Sequence, residues 1–303
     1  MDKRLVNVLA CPAQQATPRT ISELINSETL VPSRCGAELE FRGESSAHRL
    51  LSGGLLCSRC GRAFPVKDEV PILVPPGTSM DGARWEGKEA EIAEWVPRHF
   101  AKPQWSIRSS LERDFITAAQ ATQGIVLDVA SGPAGSFCVQ VMSDGRTDRV
   151  LAMSDLGTPV MLAWRKHLRQ VGWGDRCSNL VFDARRMPFR DGSVATIASA
   201  LGFGNITRNK LAYADAARVL PPGGRMLDVV RLYEEGGPTQ RHLVKVGHAG
   251  AAWSDYAALL EGLGFAIQRS EVACTGRGKS DPGDGLPLGD EVWEHRMVFA
   301  VRR

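Results

Sequence analysis

Little in this 303-residue chain commits it to a membrane or to nucleic acid. No apolar stretch reaches the ~20 residues that a membrane-spanning helix needs. The opening Met1-Asp-Lys-Arg-Leu lacks the apolar core of an export signal, so a cytoplasmic location is expected. Lys and Arg outnumber Asp and Glu by only 37 to 34, with no dense basic run, which argues against a nucleic-acid surface. The glycine-bearing turn at residues 130–135 does not meet Gly-x-Gly-x-x-Gly, because Ala130 stands where the first glycine would be. No Gly-Lys-Ser or Gly-Lys-Thr follows that turn, which excludes a nucleotide-triphosphate loop there. The cysteine count is odd, at seven, and four of them fall in the first sixty residues. Without an export signal, such clustering points to metal rather than to disulfides.

What is present is a globular composition, 43% hydrophobic, and a length suited to one large domain plus a smaller one. The stretch from Ile125 to Phe137 organises the large one. Ile125 to Asp128 reads as a buried parallel strand ending in a carboxylate, followed by a small-residue turn and a helix from Ser136 to Met142. The unit then repeats. Strands are expected at Arg149–Ser154, Leu180–Phe182, Val194–Ala200 and Arg225–Leu232. Helices are expected at Thr158–Val171, with Thr158-Pro159 as cap and first position, and at Asn209–Val219. Ser254 is read as the cap of a last helix, and Phe265–Val272 with Met297–Val301 as a closing strand pair. Thr275 to Gly289 reads as a mobile loop. Repeated strand–helix units predict an α/β fold with a mostly parallel sheet between helices.

The N-terminal part reads differently. Leu5 to Ala10 is a short helix candidate, Ser22 to Asn26 another, and Ala63 to Val74 two strands around a turn. Cys57-Ser-Arg-Cys60-Gly61 is a knuckle whose backbone N–H groups can turn toward two thiolates, as tetrahedral zinc requires. Cys11 has no partner three residues on, where Gln14 stands, so Cys35 is the replacement ligand beside Cys11, Cys57 and Cys60. The Pro75-to-Gly82 stretch has linker composition. Beyond it, helices are expected at Ala83–Val96, ended by Pro97, and at Ser106–Ala119. Trp85, Trp95, Phe100 and Trp105 are read as packing residues, with a cover over a ligand cleft as the alternative. The expected division is 1–76, 77–120 and 121–303.

Two resemblances follow from these residues. Leu9-Ala10-Cys11-Pro12, Cys57 to Gly61, and Phe64-Pro65 through Val70-Pro71-Ile72-Leu73 resemble the small zinc-ribbon family that activates RNA and protein methyltransferases. The acidic strand ends Asp128, Asp155 and Asp183, with Asp183-Ala-Arg-Arg-Met-Pro-Phe and Arg218-Val-Leu-Pro-Pro-Gly-Gly, resemble class I S-adenosylmethionine-dependent methyltransferases of the quinone and small-molecule branch. That likeness implies a Rossmann-like fold, a seven-stranded sheet with an antiparallel closing strand, and S-adenosyl-L-methionine as cofactor. By the same likeness, Asp128, Ala130, Ser131 and Gly132 would hold the aminoacyl end and Asp155 the ribose diol. Leu156 would pack on adenine, Asp183 and Ala184 would meet its amino group and ring, and Ala200 would close the set. The acceptor would lie beyond the fourth and fifth strands, where Tyr233, Glu234, Glu235, His242 and His248 are polar. His248 is the candidate base or acceptor ligand. The absence of an Asn-Pro-Pro-Tyr motif after the fourth strand counts against planar amino nitrogens as acceptors. The expected function is methyl transfer to an O, N or C atom of a small molecule. An rRNA or tRNA base methyltransferase and a non-catalytic scaffold are the alternatives. The oligomeric state does not follow from the sequence.

Overall fold

The computed structural model describes residues 1–13, 34–78, 85–101, 109–146, 148–279 and 285–303. The expected helix Ser22–Asn26, Gln14, Trp105 and the cap Ser106 lie outside these residues. In the first unit, a 3-10 turn, Lys3–Val8, stands where a short helix is expected. It precedes an antiparallel four-stranded sheet of β1 (Leu39–Ser45), β2 (Leu50–Cys57), β3 (Ala63–Lys67) and β4 (Val70–Pro71), in that spatial order. The β1–β2 hairpin was not legible in the sequence: Gly43, Gly53 and Gly54 break the apolar alternation that marks a strand. Among the described residues, no helix is long and apolar enough to cross a membrane.

Helix α1 (Glu89–Ala101) and helix α2 (Ser109–Gln120) lead into the second unit. Pro97 lies inside α1 rather than ending it. Buried Ile92 and Val96 hold the turns before it, and Phe100, after it, packs edge-on to His167 and Trp173. That packing offsets the backbone hydrogen bond a proline cannot make.

The second unit runs β5 (Ile125–Asp128), α3 (Ser136–Met142), β6 (Val150–Asp155), α4 (Thr158–Gln170), β7 (Ser178–Val181) and β8 (Thr196–Ala200). It continues α5 (Asn209–Val219), β9 (Arg225–Tyr233), α6 (Pro238–Lys245), α7 (Trp253–Gly262), β10 (Phe265–Arg277) and β11 (Val292–Arg302). The strand order is β10-β11-β9-β8-β5-β6-β7. Pairs from β9 across to β7 are parallel, and β11 is antiparallel to both neighbours. This is the expected α/β sheet with its antiparallel closing strand. The chain moves outward from β5 to β6 and β7, then returns to the other side of β5 as β8. A sheet of this kind opens a crevice at the carboxyl ends of its strands at such a reversal.

Two starts differ from expectation. Gly157, not Thr158, caps α4, and Ala252 caps α7 while the Ser254 hydroxyl donates to Glu235. The closing pair is longer than expected and takes in residues 275–277 of the expected mobile loop, with Arg277 opposite Val292. Helix α6 was not anticipated because its one strong signal, Pro238 after Gly237, reads equally as a turn.

The two units share one core. Leu5, Leu9, Leu55, Phe64 and Leu73 of the first are buried in the same cluster as Ile125, Leu127, Leu180, Phe182 and Phe189 of the second. Backbone bonds reinforce it. Leu73 N–H donates to Val181 O at 2.7 Å, Ala10 N–H to Pro188 O at 3.0 Å, and Arg190 N–H to Val8 O at 2.8 Å. Below them lies a buried ion cluster. The two-residue turn Asp68-Glu69 between β3 and β4 has positive φ at both positions (49° and 66°), the geometry of a tight hairpin ordinarily given to Asn and Gly. Glu69 Oε2 accepts from Arg49 Nε at 2.5 Å and from Arg165 Nη2, on α4, at 2.7 Å. Burial alone would raise the Glu69 carboxyl, but the two guanidiniums outweigh it and hold the group below its ordinary range.

Glu69→Gln leaves two buried guanidiniums without their counter-charge and is expected to cost roughly 3–5 kcal/mol in denaturant unfolding. Glu40→Gln, at the exposed 3.9 Å pair with Arg42, is expected to change stability by less than about 0.5 kcal/mol. Similar effects from the two would remove the ion cluster as the clamp between units.

Candidate functional site

At the reversal point the turn after β5 folds back onto β6. Ser131 N–H donates to Ser154 O at 2.9 Å, Ser154 Oγ to Asp128 O at 2.8 Å, and Trp164 Nε1 to Gly132 O at 3.1 Å. Asp155, at the end of β6, ties two turns together: its Oδ2 accepts from Gly132 N–H at 3.0 Å and its Oδ1 from Gly157 N–H at 2.8 Å. Burial raises its carboxyl, and these backbone donors oppose that. A side chain at Gly135 would meet Trp164 at 2.5 Å, so a bare backbone is required there. Ala130 takes φ 54°, the left-handed region in which a glycine would be unstrained. The departure from glycine noted in the sequence is therefore a strained alanine.

These turns wall a cleft of about 210 Å³. Ala130, Ser131, Gly132, Asp155, Leu156, Asp183, Ala184 and Ala200 all line it, so eight of the nine cofactor candidates come together. Asp128 does not line it. Its carboxyl is 2% exposed behind the turn, with Oδ2 accepting from Cys138 Sγ at 3.5 Å and Oδ1 unpartnered among the described residues. Burial pushes this carboxyl up to about 7 against the weaker pull of Ser131 and Cys138. Asp183 lies in the cleft but is engaged, with Oδ1 accepting from both the backbone N–H and Nε of Arg185 at 2.9 Å.

Further residues wall the cleft. Trp85 and Trp95 face the cleft, with ring centroids 5.3 Å apart. A methyl group at Gly132 would come within 3.9 Å of Trp85 Nε1, and one at Gly157 within 3.6 Å of its Cβ. Two side chains of the segment before the sheet thus stand in the cleft wall. Arg185, Asn205, Ile206 and Thr207 also line the cleft, and no periodicity marks such loop residues.

His248 sits elsewhere. It lines a second cavity of about 380 Å³ with Leu201, Asn205, Arg231, Tyr233 and Leu243. Its Nε2 lies 3.0 Å from Gly204 O, which can only accept, so Nε2 carries the proton. Nδ1 is then the acceptor facing Asn209 Nδ2 at 3.4 Å. Burial lowers its basicity, opposed by the hydrogen bonds at Gly204 and Ala249. One ring nitrogen thus meets the 203–205 turn and the other the start of α5.

The cysteines form a separate centre. The four Sγ atoms of Cys11, Cys35, Cys57 and Cys60 lie within 4.8 Å of one another. Cys11 and Cys60 are 3.7 Å apart and Cys35 and Cys57 3.6 Å. Four ligands about 2.3 Å from a tetrahedral zinc would stand roughly 3.8 Å apart, so the set fits that metal. Gly61 and Gly36, each following a ligand cysteine, have positive φ (69° and 63°), and Cys60 N–H points at Cys57 Sγ at 3.4 Å. Burial would raise the Cys57 thiol, but the N–H groups of Cys60 and Arg59 outweigh it and bring it to about 7, whereas burial raises the thiols of Cys11 and Cys35. Four thiolates leave no open position for a substrate, which makes the centre structural.

Comparison with known proteins finds a match for each of the two units. Residues 127–227 match the family model described as a methyltransferase domain, and residues 2–69 that of the Trm112p-like proteins. The chain is 30% identical over 105 residues to the ubiquinone/menaquinone biosynthesis C-methyltransferase UbiE of Hahella chejuensis, covering 34% of this chain and 41% of the relative. With the same protein of Shewanella pealeana it is 30% identical over 124 residues, 41% and 49% of the two chains. The matched part thus spans about half, or less, of the length of these curated relatives. The crystal structure of MccD protein superposes on 64% of this chain and 97% of its own, with a TM-score of 0.50 at 12% identity, a likeness of fold. The chain resembles class I S-adenosylmethionine-dependent methyltransferases and carries a Trm112p-like domain in front.

Two outcomes are expected. Ala130→Gly should raise stability by about 1 kcal/mol in urea unfolding by relieving the positive φ, partly offset by a looser unfolded chain. Elemental analysis should find one zinc per chain. Its removal, or Cys57→Ala, should lower the melting temperature by about 5 °C or more, equivalent to roughly 2 kcal/mol.

Proposed function

We propose that the chain is an S-adenosylmethionine-dependent methyltransferase acting on a small-molecule acceptor. In this reading residues 1–76 are a metal-bound ribbon, 77–120 a cover and 121–303 the transferase. The observation that carries it is Asp155, a carboxylate at the sheet's reversal point, fixed by two backbone N–H groups and turned into the cleft with lone pairs to spare. Such a group suits a ribose diol, which brings two O–H donors. The neighbouring Leu156 and Ala184 give apolar faces for a purine, and Asp183 an acceptor for its amino group once Arg185 yields. The likeness to curated C-methyltransferases supports the transfer chemistry, and the acceptor atom of this chain is a separate matter.

Bound in the cleft, S-adenosylmethionine supplies a methyl group on an electron-poor sulfonium. That methyl carbon would pass to an electron pair of the acceptor, with the carbon–sulfur pair staying on sulfur and any acceptor proton ending in bulk solvent. The protein's share is alignment and exclusion of water. The 130–135 turn and Asp155 fix one end, and Trp85 with Trp95 closes the mouth. His248 has a positioning part, keeping the 203–205 turn between the two cavities.

Calorimetric titration with S-adenosylhomocysteine tests this. Micromolar binding is expected, weakened at least tenfold by Asp155→Ala. No binding by the folded chain would overturn the enzyme reading.

A further inference from the structure

The cleft wall of Phe182, Asp183, Ala184 and Arg185 continues into a loop that reaches the thiolate centre. Two arms of the ribbon grip this loop, and each ends in a ligand cysteine. The first arm is Val8 to Cys11. Arg190 N–H donates to Val8 O at 2.8 Å, Leu9 bridges Phe189, and Ala10 N–H donates to Pro188 O at 3.0 Å, with Cys11 next in the chain. The second arm is Arg34-Cys35. The Arg34 guanidinium donates to Met187 O at 3.1 Å and to Asp191 Oδ1 at 2.9 Å. The arms meet at the cysteines, where Gly36 N–H donates to Cys11 O at 3.1 Å and Cys11 N–H to Ala37 O at 2.9 Å. Four metal–thiolate bonds would tie both arms at one point, where the thiols by themselves make only weak sulfur contacts of 3.6 and 3.7 Å.

The loop passes these contacts on to the cleft. Phe189, opposite Leu9, packs edge-on to Phe182 with ring centroids 6.0 Å apart, and Phe182 lines the cleft. Phe182 is 2% exposed and Phe189 0%, so neither ring shifts without its neighbours following. On the Arg34 side, only Arg186 separates Met187 from Arg185 in the wall. From the other side α5 holds the same loop. Asp215 Oδ2 accepts from Met187 N–H, and Arg218 Nη1 donates to Phe189 O at 2.8 Å. The loop keeps this anchor when the ribbon loosens, so a loss of metal changes the cleft by degree and does not dismantle it.

Building on the methyltransferase reading, we propose that the thiolate centre and the cofactor cleft are coupled through the 182–191 loop. Zinc held by Cys11, Cys35, Cys57 and Cys60 raises the affinity for the cofactor, and bound cofactor raises the affinity for zinc by the same factor. Arg34 is then a positioning residue for the cleft wall, acting through Met187 and Asp191.

The test uses the full chain and two probes, S-adenosylhomocysteine followed by calorimetry and zinc followed by competition with a chromophoric chelator. Removing zinc is expected to weaken S-adenosylhomocysteine binding by roughly five- to tenfold, and saturating S-adenosylhomocysteine should tighten zinc by the same factor, as reciprocity requires. Arg34→Gln, with zinc in place and all four cysteines intact, should weaken S-adenosylhomocysteine by about threefold or more, with zinc content and circular dichroism as in the unaltered chain. Arg34→Lys should restore part of that loss. Equal S-adenosylhomocysteine affinity with and without zinc overturns the proposal, and so does a zinc affinity that S-adenosylhomocysteine leaves unchanged. Should the metal-free chain unfold, the Arg34→Gln comparison decides alone, because it is made with zinc in place, and an unchanged affinity there overturns the proposal. Failure of the zinc-loaded chain to bind S-adenosylhomocysteine is read separately, and sinks the methyltransferase reading on which this one rests.

Discussion

The outer edge of a sheet is a row of unsatisfied backbone groups, and in this protein the rest of the architecture depends on how that edge is closed. Among the described residues, strand β7 has only β6 as a full partner within its own sheet. The N-terminal unit supplies what is missing: Ile72 bridges Val181 in parallel, and Leu73 N–H donates to Val181 O at 2.7 Å. The contact is not peripheral. Beyond Val181 the chain enters Phe182, Asp183, Ala184 and Arg185, one wall of the cleft, so the ribbon is attached where that wall begins. A second attachment, at Leu9 opposite Phe189, holds the far end of the same loop. The metal centre lies close by in sequence, because Cys11 follows Leu9 and Ala10 directly. Closing an edge, holding a loop and forming a metal site are thus three results of one packing arrangement.

The buried ions fit this view. Glu69 occupies a strained turn and pairs with two guanidiniums, one from each unit. Such a cluster is poor at adding net stability but good at fixing a unique arrangement, because any other packing would bury a charge unpaired. On the far side of the molecule Asp228 shows the opposite balance. Its Oδ2 accepts from Tyr213 and Tyr256, both at 2.8 Å, with no cation paired to it among the described residues, and burial pushes the carboxyl up to about 6. A folded value above the unfolded one means that its contribution is complete at acid pH and is lost as pH rises through about 6.

The Asp128, Asp155 and Asp183 series illustrates what spacing can and cannot reveal. All three stand at or just beyond strand ends, as their positions after apolar runs implied. Their environments then part. Asp155 faces the cleft with backbone donors behind it, Asp183 faces it through Arg185, and Asp128 is buried behind the turn. The sequence could not separate them, since side-chain direction at a strand end depends on where the following turn packs. Trp85 and Trp95 are a comparable case: irregular spacing marks them as packing residues, and only the docking of α1 on α4 brings them to the mouth.

What the sequence alone determined is the strand–helix alternation of the second unit apart from α6, the acidic strand ends and the thiolate set, because local periodicity, small-residue turns and the Cys-x-x-Cys-Gly knuckle carry their own physical signal. What only the tertiary structure decided is which distant residues meet: Glu69 with Arg165, Trp85 with Gly132, Arg231 with His295, and His248 with Gly204. These are contacts between elements far apart in the chain. They follow from sheet order and domain docking, which depend on the sum of buried surface rather than on any short stretch of sequence.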